Sequence, residues 1–110
     1  METAKEKIAG LKSEILGVLK EMGLSAEKII LFGSRARGDF TAQSDWDFLI
    51  VLKQELSREE KQKIAHRIRK RLAEFHWDCD VIVRTEAEVE ARKNLIGSVV
   101  KRVMEEGLVI

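Results

Sequence analysis

The sequence feature that most limits the fold is an apolar run, Trp46–Leu52, that follows Asp45 and contains Asp47. Its length and its branched and aromatic residues predict a central, mostly buried strand. Because side chains alternate along a strand, Asp45 and Asp47 leave the same face of the sheet. Two carboxylates this close repel each other and lose hydration, unless they share a divalent cation. A magnesium site is one interpretation, and a pair of solvated aspartates at a strand end is the other.

Short apolar runs alternate with amphipathic helices along the rest of the chain. Apolar spacing, glycines and two capping boxes, Ser57–Glu60 and Thr85–Glu88, predict the helices. The predicted helices cover about 4–22, 57–74, a segment beginning near 85, and 94–106. The predicted strands cover 28–32, 46–52, 77–83 and a short final piece at 108–110. This order predicts an α/β (α+β) two-layer domain that spans 1–110 as one unit. The link between Phe32 and Trp46 allows either a hairpin-like return or a tight crossover.

Composition narrows the classes of protein that this chain can represent. Its 110 residues include 20 basic and 19 acidic side chains, which excludes a strongly basic nucleic-acid coat and an acidic disordered tail. A single cysteine excludes a disulfide framework and a cysteine-based zinc cluster. No apolar stretch approaches the ~18 residues of a membrane span, and residues 1–10 lack the apolar core of a signal peptide. We therefore expect a cytoplasmic protein without membrane association.

The segment Gly33–Gly38 has the composition of a phosphate-binding turn. It follows a predicted strand directly, and its first glycine lets backbone N–H groups come close to a ligand. The next turn opens like a helix N-terminus, which attracts phosphate through free N–H groups and the helix dipole. Ser34 adds a hydroxyl, and Arg35 and Arg37 add fixed positive charge. Many surface turns share this composition, so an ordinary turn is the alternative.

A third carboxylate lies on the third predicted strand. Asp80 lies between Cys79 and Val81, and Asp78 points the same way nearer the start of the strand. We prefer Asp80 because it lies deeper in the apolar stretch, provided that this strand lies beside Trp46–Leu52. Three carboxylates and a phosphate cradle fit two-metal phosphoryl transfer. One ion would organise a triphosphate, and the other, with Asp80 as ligand and proton acceptor, would activate the attacking hydroxyl.

These residues together reproduce a known signature. Gly33-Ser34, followed after ten residues by Asp45-x-Asp47, resembles the G-S-x10-D-x-D motif of the polymerase β-like nucleotidyltransferase superfamily. The stretch FGSRARGDFTAQSDWDFLIV is similar to the minimal, MNT-type members, and so is the later stretch DCDVIVRTEAEVE, in which Asp80 matches the third aspartate. The resemblance implies a palm-like core, a small mixed β-sheet with helices packed on one face.

The resemblance also implies an activity and a site. The implied activity is transfer of a nucleoside monophosphate, with AMP from ATP the expected case, to a hydroxyl group. It uses Mg²⁺ at a two-metal site and releases pyrophosphate. The implied site residues are, for nucleotide and phosphate binding, Gly33, Ser34, Arg35 and Arg37 and, for catalysis and metal binding, Asp45, Asp47 and Asp80.

Partners follow from the same resemblance. Minimal members are often encoded beside an all-helical HEPN-domain protein and act as the antitoxin of that pair, so we expect a HEPN-domain partner. Because the chain contains no tyrosine, an acceptor tyrosine would belong to that partner. Larger members of the superfamily carry further domains that hold the nucleobase and the acceptor. In a minimal member we expect the acceptor protein or a second copy of the chain, as a homodimer, to complete the site; the remaining possibility is that catalysis has been lost. The alternatives are a catalytically silent binding module and a nucleotidyltransferase that acts on a small molecule or RNA.

The second predicted helix also carries a basic run. Its cations are Lys61, Lys63, Arg67, Arg69, Lys70 and Arg71. A solvated helix face is the ordinary interpretation, and contact with RNA or with an acidic partner is the alternative. We expect Cys79, Trp46 and Trp77 to pack in the core or at its rim.

Overall fold

The computed structural model describes residues 3–110, which form five helices and four strands. In chain order these are α1 (Ala4–Glu21), β1 (Ala26–Phe32), α2 (Ser34–Arg37), β2 (Trp46–Leu52), α3 (Arg58–Ala73), β3 (Cys79–Thr85), α4 (Glu86–Arg92), α5 (Val99–Glu106) and β4 (Leu108–Val109). The order confirms the predicted alternation of strands and helices. None of the helices within residues 3–110 has the length and apolar character needed to cross a membrane.

The strands form one mixed sheet in the order β3-β2-β1-β4. β1 pairs antiparallel with β2 and β4, whereas β2 and β3 run parallel. The link between Phe32 and Trp46 is therefore a hairpin-like return, and α3 makes the crossover that a parallel pair requires. This confirms the mixed sheet expected from the resemblance. It also brings the end of β1 and the starts of β2 and β3 to the same end of the sheet.

Helices cover both faces of the sheet. On one face α1 and α3 bury apolar stripes against alternate strand residues, among them Ile29, Leu31, Phe48, Ile50, Leu52, Val81 and Val83. On the other face, residues of α4 and α5 pack against the intervening ones, the cluster being Ile30, Leu49, Val51, Val89, Val100 and Val103. The expected packing of helices on one face is corrected here. Because consecutive residues of β1 and β2 are apolar, each face needs its own cover.

The last helix is shorter than predicted. It begins at Val99, not near Asn94, because Gly97 interrupts the segment with a φ of 84°, in the left-handed region. Ser98 then serves as the N-cap, and its hydroxyl accepts the Lys101 N–H at 3.0 Å. Glycine conformation and capping chemistry therefore override the apolar periodicity of this segment.

The turn between α3 and β3 moves the start of the third strand. His76 has a φ of 63°, and the Trp77 N–H donates to the Leu72 carbonyl, so pairing with β2 begins at Cys79. The sequence predicted a start at Trp77. Trp77 stacks on Phe75 with ring centroids 5.3 Å apart, and Trp77 and Cys79 pack partly buried against the larger core cluster. Both side chains therefore lie at the rim of the core.

Glu88 joins α3 to the start of α4. Each of its carboxylate oxygens accepts a hydrogen bond from Lys61 Nζ at 2.8 Å, and one also accepts the Thr85 N–H in the predicted capping box. Burial raises the pKa of Glu88, but the bonds from Lys61 and Thr85 outweigh burial and hold that pKa at about 2, below its ordinary 4.5. The contact stabilises the fold while Glu88 is ionised.

Glu88→Gln removes the ionised acceptor but keeps the size of the side chain. We expect it to lower the free energy of unfolding at neutral pH by about 1–3 kcal/mol, the range for hydrogen bonds to charged groups. The pKa of Glu88 is lower in the folded state than in the unfolded state, so the wild type loses this stabilisation as the pH falls from 4.5 toward 2. The variant should not show this loss, because it has no ionisable group at position 88. Urea unfolding across that range measures both effects. Glu90→Gln, at an exposed ion pair with Lys93, is the control, and equal effects of the two variants would contradict the assignment.

Candidate active site

The turn after β1 lies directly against Asp47. Phe32, the last residue of β1, is the register partner of Asp47, so Gly33 follows within contact of that carboxylate. A Cβ at Gly33 would lie 2.1 Å from Asp47 Oδ2, and the φ of Gly33 is 75°, in the region that favours glycine. Space and backbone conformation therefore both require glycine at this position.

The helical turn α2 continues from this glycine. The Gly33 carbonyl accepts the N–H groups of Ala36 and Arg37 at 3.1 Å, and Gly38 ends the turn in the left-handed conformation. The half-buried Ser34 follows Gly33 at the start of the turn. The first N–H groups of such a turn have no carbonyl partner within it, so the predicted phosphate cradle has the backbone form that it requires.

Asp47 and Asp80 lie side by side on neighbouring strands. They are register partners in the parallel pair of β2 and β3, which directs both side chains to the same face. Asp45 precedes β2 with the same alternation. Burial raises the pKa of Asp47, the charges of Asp80 and Asp45 raise it further, and Arg37 opposes this shift. The charges of Asp80 and Asp45 thus both act on Asp47, which places the three carboxylates at the same end of the sheet.

Asp78, the competing third carboxylate, lies just outside the strand pair. Its backbone carbonyl accepts the Trp46 N–H at 2.9 Å, which aligns the starts of β2 and β3. Its side chain lies two residues before Asp80, roughly 7 Å farther along the chain. The register therefore favours Asp80 as the neighbour of Asp47.

The carboxylate cluster, defined as Asp45, Asp47 and Asp80, has the oxygen donors that a divalent cation prefers. Ion pairs within residues 3–110 engage other carboxylates and leave these three free. In that part of the chain, no three His, Cys, Asp or Glu side chains are gathered closely enough to hold a metal ion as they stand. The donor set nevertheless fits Mg²⁺, which binds through one or two carboxylates together with substrate phosphates. A phosphate ligand would supply the remaining donors.

Arg37, at the end of α2, is an exposed source of positive charge near the cluster. Its guanidinium contacts Asp39 at 3.3 Å and Glu106 of α5 at 3.4 Å, and 47% of the side chain is exposed. Asp39 and, less strongly, Glu106 raise the pKa of Arg37. The positive charge of Arg37 lowers the pKa of Asp47. Exposed ion pairs of this kind contribute little stability, so Arg37 can exchange them for a phosphate.

Arg35 is placed differently from the phosphate ligand that the sequence suggested. Its guanidinium lies over the rings of Phe40 and Trp46, 4.7 and 4.3 Å from their centroids. Its Nε and Nη2 donate to the Ser44 carbonyl at 3.2 and 3.0 Å. These contacts clamp the loop that ends at Asp45 to the start of β2. Sequence reasoning missed this clamp, for which an arginine with two nearby aromatic residues was the available signal.

A helical turn that begins at a glycine and lies against carboxylates on two neighbouring strands of a mixed sheet is the arrangement expected of a nucleotide-transferring domain. The sequence model of the nucleotidyltransferase domain matches residues 12–110. The chain belongs to the nucleotidyltransferase domain family, as its signature predicted.

Two proteins of Methanocaldococcus jannaschii, both provisionally named protein adenylyltransferase, are similar to parts of this chain. One is 44% identical over 59 residues, which are 54% of this chain and 57% of that protein. The other is 53% identical over 47 residues, which are 43% of this chain and 40% of that protein. The matched segments thus span about half the length of these relatives.

Solved structures share the fold. A provisionally named nucleotidyltransferase from Sulfolobus solfataricus has a TM-score of 0.61 and 27% identity, over 91% of this chain and 76% of that one. A toxin–antitoxin complex solved with AMP-PNP has a TM-score of 0.57 and 19% identity, over 89% and 70%. A tri-AMPylated HEPN toxin with its MNT antitoxin, from Shewanella oneidensis, has a TM-score of 0.50 and 17% identity, over 90% and 67%. The latter two likenesses show the fold alone.

Asp47→Asn relieves the repulsion within the carboxylate cluster. In metal-free buffer we expect it to raise the free energy of unfolding, by no more than about 1 kcal/mol because solvent screens this half-buried group. We also expect it to reduce the increase in melting temperature that Mg²⁺ and ATP together produce in the wild type. Thermal unfolding with EDTA and with Mg²⁺–ATP measures both. Asp39→Asn, at an exposed carboxylate, is the control, and an unchanged response to Mg²⁺–ATP in Asp47→Asn would remove Asp47 from the site.

Arg35→Ala removes the clamp on the loop before Asp45. We expect faster amide hydrogen exchange in residues 39–45, because the Ser44 carbonyl and the two aromatic rings lose their common partner. Arg37→Ala, which removes two exposed ion pairs, should leave exchange in this loop close to that of the wild type. Equal exchange in both variants would mean that Arg35 does not hold the loop.

Proposed function

We propose that this chain transfers AMP from ATP to a hydroxyl group of a partner protein, using Mg²⁺ and releasing pyrophosphate. The observation that carries this proposal is the parallel register of Asp47 with Asp80, directly beside Gly33. Membership of the nucleotidyltransferase domain family supports transfer of a nucleotide. The provisional names of the Methanocaldococcus relatives support AMP as the transferred group and a protein as the acceptor.

The phosphates of ATP are assigned to the turn that Gly33 begins. Backbone N–H groups of this turn and the Ser34 hydroxyl donate hydrogen bonds to phosphate oxygens, and Arg37 adds positive charge. Arg35 acts from the other side of the turn, where it holds the loop that carries Asp45. The triphosphate thereby lies between the turn and the carboxylate cluster.

The carboxylate cluster would hold Mg²⁺, which when bound supplies charge stabilisation and makes the attacking hydroxyl more acidic. Asp80, whose side chain is exposed at the start of β3, is open to an incoming acceptor. It accepts the proton that the acceptor hydroxyl loses as its oxygen bonds to the α-phosphorus. The bond from the α-phosphorus to the bridging oxygen breaks, and pyrophosphate leaves on the side of the Gly33 turn.

We propose a HEPN-domain protein as the acceptor, in a toxin–antitoxin pair that works in the cytoplasm, where ATP is available. The Shewanella complex of an AMPylated HEPN toxin with its MNT antitoxin supports this assignment by analogy. An acceptor tyrosine has to belong to the partner, because this chain has none. A second copy of the chain that completes the site is the alternative.

Intact mass spectrometry of the partner tests the transfer. The chain is incubated with Mg²⁺, each of the four nucleoside triphosphates in turn, and the protein encoded by the neighbouring gene. We expect the partner to gain about one AMP unit, or a ladder of such units, with ATP. No gain with any triphosphate, in a mixture where the two proteins bind, would favour a binding module that acts by contact.

Two matched variants test the assignment of the third carboxylate. We expect Asp80→Asn to reduce transfer by about 100-fold or more, as loss of a metal ligand or proton acceptor does. Asp78→Asn removes the same charge two residues away and should leave transfer largely intact. Size-exclusion chromatography of the complex verifies that each variant still binds the partner. The reverse pattern of activities would identify Asp78 as the third carboxylate.

A further inference from the structure

β3 is the edge strand of the sheet, and no strand within residues 3–110 pairs with its outer side. The Asp78 carbonyl accepts the Trp46 N–H of β2, which establishes which backbone groups face inward. Because backbone direction alternates along a strand, the N–H and C=O groups of Val81 and Val83 point away from β2. Val81 and Val83 are buried, with 5% and 2% of their surface exposed, so an extended chain would pair with these backbone groups only after the side chain that covers them moves aside.

A basic cleft of about 480 Å³ runs beside this edge, between α3 and β3. Its charged lining consists of Arg58, Lys61, Arg69, Arg84, Arg92 and one carboxylate, Glu88. Lys61 and Arg92 share Glu88, whereas Arg58 and Arg69 take part in none of the ion pairs formed within residues 3–110. The excess of positive charge is therefore local, since the whole chain has a formal net charge of only +1.

Arg84 covers part of the open edge. Its Nη1 donates to the Val83 carbonyl of the same strand at 2.8 Å. This contact occupies one of the outward acceptors that a neighbouring strand would otherwise use. A carboxylate brought close to the edge would compete for the guanidinium and free that carbonyl.

We propose that the open edge of β3 binds an extended, acidic segment of the acceptor protein as an added strand. The proposal rests on the proposed function, because Asp80 is the second residue of β3 and Val83 lies only about 10 Å farther along the strand. A segment paired with Val81 and Val83 would therefore end beside the carboxylate cluster, where its hydroxyl is needed. The arginines and Lys61 select acidic side chains, and the strand edge selects an extended backbone.

The cleft suits a peptide better than a nucleic acid. Its floor is formed by Val81, Ile82 and Val83, and its lining residues, all within 3–110, include no aromatic side chain on which a base could stack. Unpaired amide and carbonyl groups at strand spacing match a peptide backbone and have no counterpart in a chain of phosphates. Two members of the basic run of α3, Lys61 and Arg69, are thus assigned to an acidic protein segment, whereas the sequence left both partners open.

NMR titration of the unmodified chain, without ATP, tests this proposal. The probe is a synthetic peptide of about eight residues that alternates glutamate and valine, the length of an edge strand. We expect shifts or broadening of the Val81 and Val83 amide signals. A peptide with lysine in place of glutamate should bind at least about tenfold more weakly, because charge attraction becomes repulsion. Equal binding of the two peptides, or shifts confined to other elements, would overturn the proposal.

A matched pair of charge reversals on α3 locates the peptide. Arg58→Glu/Arg69→Glu changes the cleft, and Lys63→Glu/Lys70→Glu makes the same charge change at exposed positions of α3 that do not line the cleft. We expect only the first pair to weaken binding of the acidic peptide, by about tenfold or more, with folding monitored by circular dichroism. Equal weakening by both pairs, or tighter binding of an oligouridine than of the peptide, would overturn it.

Two further measurements separate this proposal from the proposed function. ATP binding by Arg58→Glu/Arg69→Glu, followed by calorimetry, should equal that of the wild type, because the cleft is distinct from the Gly33 turn. Peptide binding with no AMP transfer would leave the docking edge supported and remove the catalytic proposal. If Arg58→Glu/Arg69→Glu leaves AMP transfer to the natural partner unchanged, the catalytic proposal is supported and the docking edge is removed.

Discussion

Repulsion between carboxylates on adjacent strands is the constraint on which the rest of this small domain depends. Asp47 and Asp80 are neighbours in register, and burial and charge together raise the pKa of Asp47. Such a pair persists only where the surrounding structure leaves the strands no freedom to move apart. β2 supplies that rigidity, because it is hydrogen-bonded on both sides and covered by helices on both faces. A cation with phosphate ligands would turn this unfavourable interaction into binding energy.

Much of the site could be predicted from one short stretch of sequence, because strand alternation and glycine conformation are local rules. The shared face of Asp45 and Asp47 follows from their spacing, and a turn whose backbone N–H groups can approach a ligand follows from a glycine directly after a strand. The neighbour relation of Asp47 and Asp80 depends on strand order, which no local pattern determines. The role of Arg35 was also missed, since the nearby aromatic residues were a signal whose meaning depends on the path of the loop.

The fold was predicted well where one periodicity dominated and less well where several signals competed. α1, β2 and the two capping boxes lie where apolar spacing and hydroxyl–carboxylate pairs indicated. The second covered face of the sheet was missed because a short apolar run predicts a buried strand without showing what covers each of its faces. The late start of α5 reflects Gly97 and Ser98, whose local conformations outweigh the helical pattern around them.

Charge is separated along β3 in a way that the balanced composition conceals. Asp80 of the carboxylate cluster lies near the start of the strand, and Arg84 of the basic cleft lies near its end. Acidic and basic groups therefore form two regions of opposite potential on one edge of the sheet. An approaching chain of uneven charge would be oriented by this field before it made contact.

The hydrogen bond from Arg84 to the Val83 carbonyl also has a consequence for self-association of the chain. A bare edge strand is a template onto which another copy can add, and repeated addition leads to insoluble fibrils. With the acceptor already engaged and positive charge lining the edge, two copies that meet edge to edge repel each other and compete with an existing bond. Arg84 would thus oppose self-association at the same edge where we propose that an acidic segment binds.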